Sequence, residues 1–331
     1  MMRPLHSTLA IGGTIAVLSL GLVDLTGLPT VSAQAPAPAW GFSGELHKFH
    51  VQGRVDLLVG AGSNIAVTTG DEGVLFVDTG LAEHAEKVLA FVKRELSDKP
   101  VRWIVNTSAD LDHSGGNEVL VKAGSTTEGN PTPVAAHENV LTRMSLPGAG
   151  PARPTGDWPT TTYTRAQKDF FFNGDPVVMY HVKNAHTDGD SLVFFRRSDV
   201  IMTGDLYSTV QYPRFDTATG GGVQGMIDGL NLILDLAVPR HMQEGGTMVV
   251  PGHGRVGDEA DVLEYRDMVT IVRDRVQDLV SEGKTLDQVK ASRPTLDYDL
   301  QYGSTTSNWT TANFVEAVYK DLTSKTKGGA K

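Results

Sequence analysis

The sequence predicts an α/β protein made of two similar halves. Three observations carry that prediction. Short β-branched runs separated by Gly-containing turns fill residues 46–78, strand-like and helix-like runs alternate from residue 82 onward, and the strand series returns after residue 170. The likeness between the halves is one of pattern, not of letters.

Taken in order, the runs at 46–52, 55–59, 64–69 and 74–78 are short, alternating and β-branched, which predicts an antiparallel meander. Residues 82–96 place Ala85, Val88, Leu89, Val92 and Leu96 at helical spacing. A buried strand at 101–105 follows. Gly115 and Gly116 then let the chain turn tightly into a helix at 117–122. A short buried strand at 133–136 leads to a helix at 137–144. Residues 145–159 hold Pro147, Pro151, Pro154 and Pro159 and read as a loop, either a lid or a surface segment.

The second series comprises runs at 170–172, 177–182, 191–196 and 200–203, a helix at 224–238 and a strand at 247–250. The strongest helix is 259–280, with Val262, Leu263, Val269, Val272, Val276 and Leu279 assigned to one face and Gly283 just past its end. Shorter helices at 286–290 and 313–322 finish the chain.

Residues 1–33 are different in kind. Arg3 precedes an apolar run from 9 to 23, and Val31-Ser32-Ala33 offers small residues for cleavage before Gln34, the pattern of a secretory signal peptide. The run is shorter than the roughly 20 residues needed to span a bilayer, and Asp24 interrupts its far end. The expected location is therefore periplasmic or secreted, with no membrane attachment in the mature form. Residues 34–44 read as an extended Pro/Ala linker.

A net charge of −10 excludes the basic field that phosphate binding requires, so no nucleic-acid partner is expected. The partner is a small-molecule substrate. The chain has no cysteine, so any metal must be held by nitrogen and oxygen.

Four strand ends carry the polar chemistry. The first spills Ser108, Asp110, Asp112 and His113 after the strand at 101–105, and in open α/β sheets ligands bind just past such ends. Alone it is equally an Asx-type turn. The others are Asn184-Ala-His186-Thr-Asp-Gly-Asp190, Thr203-Gly-Asp205, and Pro251-Gly-His253-Gly254, whose glycines allow an unusual turn around the imidazole. A fourfold recurrence of the same design points to a metal centre.

Together with Val77-Asp-Thr-Gly80 and the block running from Asn106-Thr107 through Asp112-His113-Ser-Gly-Gly-Asn117, these segments occur in the order and rough spacing of the metallo-β-lactamase superfamily. The chain resembles that family over about residues 45–275. The resemblance implies a four-layer αββα sandwich with the metal centre at the sheets' shared edge. It also implies a domain at 45–285 with a C-terminal helical extension, 286–331, packed on it.

Carried over position by position, the resemblance implies that Asp112, His113 and His253 are ligands of the second metal, that Asp205 bridges, and that His186 belongs to the first metal. The family's His-x-His-x-Asp-His motif is altered here: Ser108 stands at its first histidine and Asp110 at its second. The resemblance implies Asp110 as a replacement ligand, with a precedent in flavodiiron-type members, and Ser108 as a weak ligand at best or only the holder of a water. Asp78 and Asp190, with Ser108, are expected behind the ligands, orienting them. Tyr207, Tyr212 and Arg214, just beyond Asp205, are expected to line the substrate pocket.

The implied function is a metal-dependent hydrolase in which metal-bound hydroxide attacks an ester, amide, lactone or lactam-type bond, with Asp112 and Asp110 in catalytic positions. Asp110 becomes a candidate general base if only the second site fills. The cofactor is one or two zinc ions, and the third carboxylate makes iron or manganese possible. Two other readings stand beside it: a degenerate binding protein that keeps the fold with little or no activity, and an iron-bearing redox centre.

Overall fold

A computed structural model describes residues 44–124, 131–146, 153–242 and 245–328. The expected signal peptide, almost all of the linker and the middle of the proline-rich loop lie outside these residues. No helix among the described residues is long and apolar enough to cross a membrane.

The first sheet has seven strands in chain order: β1 (His47–Gln52), β2 (Val55–Ala61), β3 (Ser63–Gly70), β4 (Gly73–Val77), β5 (Val101–Val105), β6 (Val134–His137) and β7 (Thr161–Tyr163). β1 to β4 form the antiparallel meander read from the sequence, and β5, β6 and β7 add in parallel. The second sheet has five strands, β8 (Gln167–Phe172), β9 (Asp175–His181), β10 (Ser191–Phe195), β11 (Val200–Met202) and β12 (Met248–Val250). Here too an antiparallel meander is followed by a parallel strand, β12 against β11.

Helices cover both outer faces. α1 (Ala85–Glu95) and α3 (Asn117–Gly124) bury Val88, Val92 and Leu120 on the first sheet, against Ile65, Phe76 and Ile104. α5 (Val223–Leu236), α6 (Glu259–Ser281) and α9 (Thr311–Gly328) bury Met226, Leu230, Val269, Val272 and Phe314 over the second. Between the sheets lies a third apolar layer that includes Leu75, Val77, Val105, Val193, Phe195 and Met202. Three apolar layers separating four structural ones make an αββα sandwich of two similar halves.

Local chemistry explains the best-formed helix. Asp258 accepts from the Asp261 backbone N–H, and the Asp261 carboxylate answers the Asp258 N–H, so two donors at the start of α6 are satisfied reciprocally. At its end Gly283 adopts φ +76°, Gly283 N–H bonds to the Val280 carbonyl and Lys284 N–H to that of Leu279. That is a full Schellman stop. Leu263, assigned to the buried face, is instead 38% exposed, because it lies one residue, about 100° of rotation, from Val262.

The structure differs from the sequence reading at several points, among them α2 (Leu111–Ser114), a helical turn that carries Asp112 and His113 where a loop was read, and α8 (Asp299–Tyr302), which was not expected. β7 was not expected, since three residues rich in threonine between turns carry no period. Gly115 and Gly116 are needed for close approach rather than for turning: a Cβ on Gly116 would lie 2.5 Å from the Thr79 carbonyl oxygen, and neither residue has a positive φ. The short helices α2 (Leu111–Ser114), α4 (Glu138–Ser145), α7 (Leu286–Ala291) and α8 (Asp299–Tyr302) complete the described chain. α7 and α9 are fastened together by Lys290 and Glu316, 2.6 Å apart.

Candidate metal centre

The ends of β4, β5, β9, β11 and β12 bring the polar loops to one edge of the sandwich. Where β5 ends, the Asn106 and Asn117 side chains bond to each other at 2.7 and 3.1 Å, and Asn106 Nδ2 also donates to the His113 carbonyl. This pins the loop that carries Ser108, Asp110, Asp112 and His113 to the start of α3. Ser63 Oγ donates to the Asp112 carbonyl at 2.6 Å and fixes the loop from the other side.

Asp78 lies behind His113. Its backbone is in the left-handed region, φ +63°, an arrangement that costs of order 1 kcal/mol or more for a residue with a Cβ. Its carboxylate accepts from Thr107 N–H at 2.8 Å and Thr107 Oγ1 at 2.7 Å, and from His113 Nδ1 at 2.7 Å. With Nδ1 committed as a donor, the other ring nitrogen is the one turned into the site. That nitrogen, His113 Nε2, is buried with no hydrogen-bond partner, and Asp205 Oδ1 stands 3.3 Å away.

Asp205 has its two oxygens divided between two groups. Oδ1 is 3.3 Å from both His113 Nε2 and His253 Nε2, and Oδ2 is 3.5 Å from His186 Nε2. Asp112 Oδ2 lies 3.2 Å from His253 Nε2, and Asp110 Oδ2 lies 3.1 Å from His186 Nε2. The donors of Asp112, His113 and His253 lie within 4.8 Å of one another, as do those of Asp110, His186 and Asp205. All six residues named from the sequence as ligands therefore meet at one place, in two adjoining triads.

The electrostatics show what the cluster lacks. Burial lowers the basicity of His253, but the bonds to Asp112 and Asp205 more than reverse this and lift it to about 9. His186 is likewise pulled down by burial and carried up to about 10 by Asp110 and Asp205. Burial opposes ionisation of Asp205, yet His113 and His186 hold it well below the usual carboxylate range. Three carboxylates at this density demand positive charge, which either protonated imidazoles or cations can supply. An orphaned imidazole nitrogen, nitrogen and oxygen donors only, and one carboxylate shared by two triads fit divalent cations.

Glycines make the geometry possible at two points. A Cβ on Gly252 would sit 2.8 Å from Asp205 Oδ1, and Gly254 has φ +104°. Asn64, which carries no signal in the sequence, holds this turn: its Nδ2 donates to the Pro251 and Gly254 carbonyls at 2.8 and 3.0 Å. His186 Nδ1 is held by the Arg214 carbonyl at 2.7 Å.

Asp190 and Tyr207 are not where the sequence reading put them, whereas Ser108, Tyr212 and Arg214 lie at the site. Asp190 touches no imidazole; it accepts from Thr187 N–H and Oγ1, both at 2.7 Å, and so shapes the loop next to His186. Ser108 is buried and accepts the Asp110 backbone N–H at 3.3 Å, which orients Asp110 from behind. Tyr207 is a core residue, 2% exposed and packed edge-on against Tyr265. Its place one residue after a short 3-10 turn aims the ring under α6 instead of outward. Tyr212 does line the small polar pocket, yet it is 1% exposed, and its hydroxyl donates to the Thr295 carbonyl and Asp299 Oδ1. Arg214 lies at that pocket's rim, exposed, with no ion pair among the described residues.

The loop at 211–214 hangs from α6 and from the segment that precedes α9. Tyr265 Oη donates to the Gln211 carbonyl at 3.1 Å and Trp309 Nε1 to the Pro213 carbonyl at 3.2 Å. Since Arg214 supplies the carbonyl that orients His186, this buttress reaches the metal centre.

Among solved structures, a metallo-beta-lactamase from Pontibacter korlensis superposes with a TM-score of 0.55 at 19% identity, covering 68% of this chain and 99% of that one. The stereoselective inverting sec-alkylsulfatase Pisa1 from Pseudomonas sp. does so at 0.62 and 18%, covering 83% of this chain and 50% of that one. By sequence, the metallo-beta-lactamase type 2 of Bacillus sp. (strain 170) is 23% identical over 207 residues, 62% of this chain and 72% of the relative. That of Bacillus cereus is 22% identical over 207 residues, 62% of this chain and 73% of the relative. The model of the metallo-beta-lactamase superfamily matches residues 58–271, and the chain belongs to that superfamily.

Proposed function

We propose that the chain is a secreted or periplasmic metal-dependent hydrolase that cleaves an ester, amide, lactone or lactam-type bond of a small molecule. One observation carries this reading: the two Asp205 oxygens face opposite triads, Oδ1 toward His113 and His253 and Oδ2 toward His186. A buried carboxylate placed in this way has a physical purpose if each oxygen meets its own cation. Divalent ions, when bound, supply Lewis acidity and make an attached water acidic enough to act near neutral pH.

The protein's own groups do the rest. Asp112, His113 and His253 with one Asp205 oxygen hold one ion, zinc being the ion suited to that set. His186, Asp110 and the second Asp205 oxygen hold the other, and two carboxylates with one imidazole favour a harder ion such as iron or manganese. Where only the first of these sets is filled, Asp110 is free to take a proton from a water in the pocket. Arg214 at the rim pairs with an anionic group of the substrate. Residues 45–285 carry this chemistry, and the helices from 286 onward support it through the loop at 211–214. The family and its hydrolase members support the reaction class and leave the bond open.

The test is metal stoichiometry per chain on residues 34–331, followed by turnover of ester, lactone, lactam and sulfate-ester substrates by the parent and by Asp205→Asn. Two bound ions, lost together with turnover in the variant, is the expected result. A folded protein that takes up no zinc, iron or manganese overturns the proposal. A second reading, a binding protein without efficient chemistry, is favoured by Ser108, whose hydroxyl takes the Asp110 N–H where the family motif has a histidine. In that case Ser108→His with Asp110→His raises metal content or rate, and no gain in either counts against it.

A further inference from the structure

The two sheets are unequal in width, and the difference leaves a groove. Opposite the inner face of β1 and β2, the five-stranded sheet has already ended at β12, and beyond it only the bridge of Gly257 to Val249 continues the pairing. The segment 254–256 stands there in place of a strand. Between them lies a groove of about 460 Å³, walled by Leu57, Val59, Val210 and Val256 with Phe49, 48% exposed, at its mouth.

This groove adjoins the metal centre through a partition one residue thick. Ser208, Gln211 and His253 face the small polar pocket, whereas their neighbours Thr209, Val210 and Gly254 face the groove. Thr209 N–H donates to the His253 carbonyl at 3.4 Å, and its Oγ1 accepts from Arg255 N–H at 2.8 Å, so the partition is tied together. Among the described residues, the one cation at the groove is Arg255, and both ends of its guanidinium are bound by Asp261 at 2.6 and 2.9 Å. The walls thus offer apolar surface and no available charge.

We propose that this groove is a subsite for an apolar arm of the substrate, an acyl or alkyl chain, whose polar bond lies over the metal centre. The assignment rests on the hydrolase reading above. A molecule of this kind places its polar end against Asp110, Asp112 and Arg214 and lays its chain over the rim formed by Thr209 and Gly254. The volume is ordinary for a small-molecule site, and the lining excludes a charged arm.

Binding of n-alkyl carboxylates from butyrate to decanoate, measured by calorimetry on zinc-loaded and chelator-treated protein, tests the subsite independently of turnover. Affinity should rise about fourfold per added methylene until the groove is full. Val210→Asp, which puts a charge in the wall, should flatten that series. Phe49→Ser, at a half-exposed position, should reduce its slope. A flat series in the parent overturns the subsite, as does an unchanged slope in a folded variant. A flat series together with a dimer in light scattering also overturns it, since a second copy then covers the groove. If zinc never binds but the slope persists, the hydrolase reading falls and with it the substrate assignment, and the groove stands only as an alkyl-binding site. If zinc binds and the slope is absent, the hydrolase reading stands and the subsite falls.

Discussion

Replacing Asp78 by asparagine isolates one step in the construction of the centre. In the parent, Asp78 Oδ1 takes Thr107 N–H, and Oδ2 takes Thr107 Oγ1 and His113 Nδ1. An amide in the same place keeps one acceptor only. If its oxygen stays on Thr107 N–H, its NH₂ faces His113 Nδ1, and the ring must move its hydrogen to Nε2, the atom that the site needs free. If the amide turns over, it confronts the Thr107 backbone donor and leaves that buried N–H unpaired, at a cost of about 1–3 kcal/mol. The left-handed backbone at φ +63° suits asparagine, so no new strain confuses the result. Loss of a partner behind a ligating histidine typically costs about 10–100-fold in metal affinity. The assay is zinc competition against a chromophoric chelator, with circular dichroism to establish folding. Asp190→Asn is the control, because Asp190 holds Thr187 and no imidazole. A folded Asp78→Asn protein binding zinc as tightly as the parent would refute the argument that Asp78 selects the His113 tautomer.

Other outcomes follow from the same geometry. Because His186 and His253 carry protons at neutral pH in the ion-free cluster, at about 10 and about 9, metal uptake at pH 7 should release about two protons or more, read from titrations in buffers of different ionisation enthalpy. Trp309→Phe removes the donor to the Pro213 carbonyl and should weaken the ion held by His186 several-fold while sparing the other, a split visible in stepwise metal titration. Glu316 is held at about 2 by Lys290 and Lys320, so its contribution to stability is present above the ordinary glutamate range and is lost as pH falls through about 2. Lys290→Met should accordingly lower the denaturation midpoint at pH 7, and the deficit should shrink as pH falls toward 2 and be gone only below it. At Gly283 a Cβ meets nothing within 4 Å, so Gly283→Ala should cost only the left-handed backbone penalty of roughly 1–2 kcal/mol, measured by urea unfolding.

Long periodic elements were legible in the sequence because burial and period coincide in them. α6 announces its face by apolar spacing and its end by Gly283, and β5 occupies the residues its apolar run marks. β7 and the buried packing of the two tyrosine rings were not legible, for a shared reason: their environment is set by distant chain. Tyr207 and Tyr212 follow a site aspartate, and proximity in sequence places them near the pocket. Yet the rings are drawn into the core by Tyr265, Tyr302 and Phe314, all of which lie far along the chain. The ligand candidates were visible as strand-end residues beside glycine. Asn64, which fastens the Pro-Gly-His-Gly turn, was not, since nothing in a Ser-Asn-Ile run distinguishes a turn clamp from an ordinary strand start.

The two departures from the family motif make sense together once the contacts are known. Ser108 no longer offers a ring nitrogen, and the space nearest the Asp110 backbone is taken by a short hydroxyl that fixes that residue's direction. Asp110 then turns its carboxylate toward His186, where a histidine would have presented a neutral nitrogen. The substitution adds a negative charge to a centre that already holds Asp112 and Asp205. Two divalent ions and one hydroxide, if bound there, would be balanced by three aspartates, whereas the usual pair of aspartates would leave one positive charge over. A neutral centre polarises a substrate less strongly and binds harder ions with less penalty. On this argument Asp110 trades Lewis acidity for a wider choice of metal.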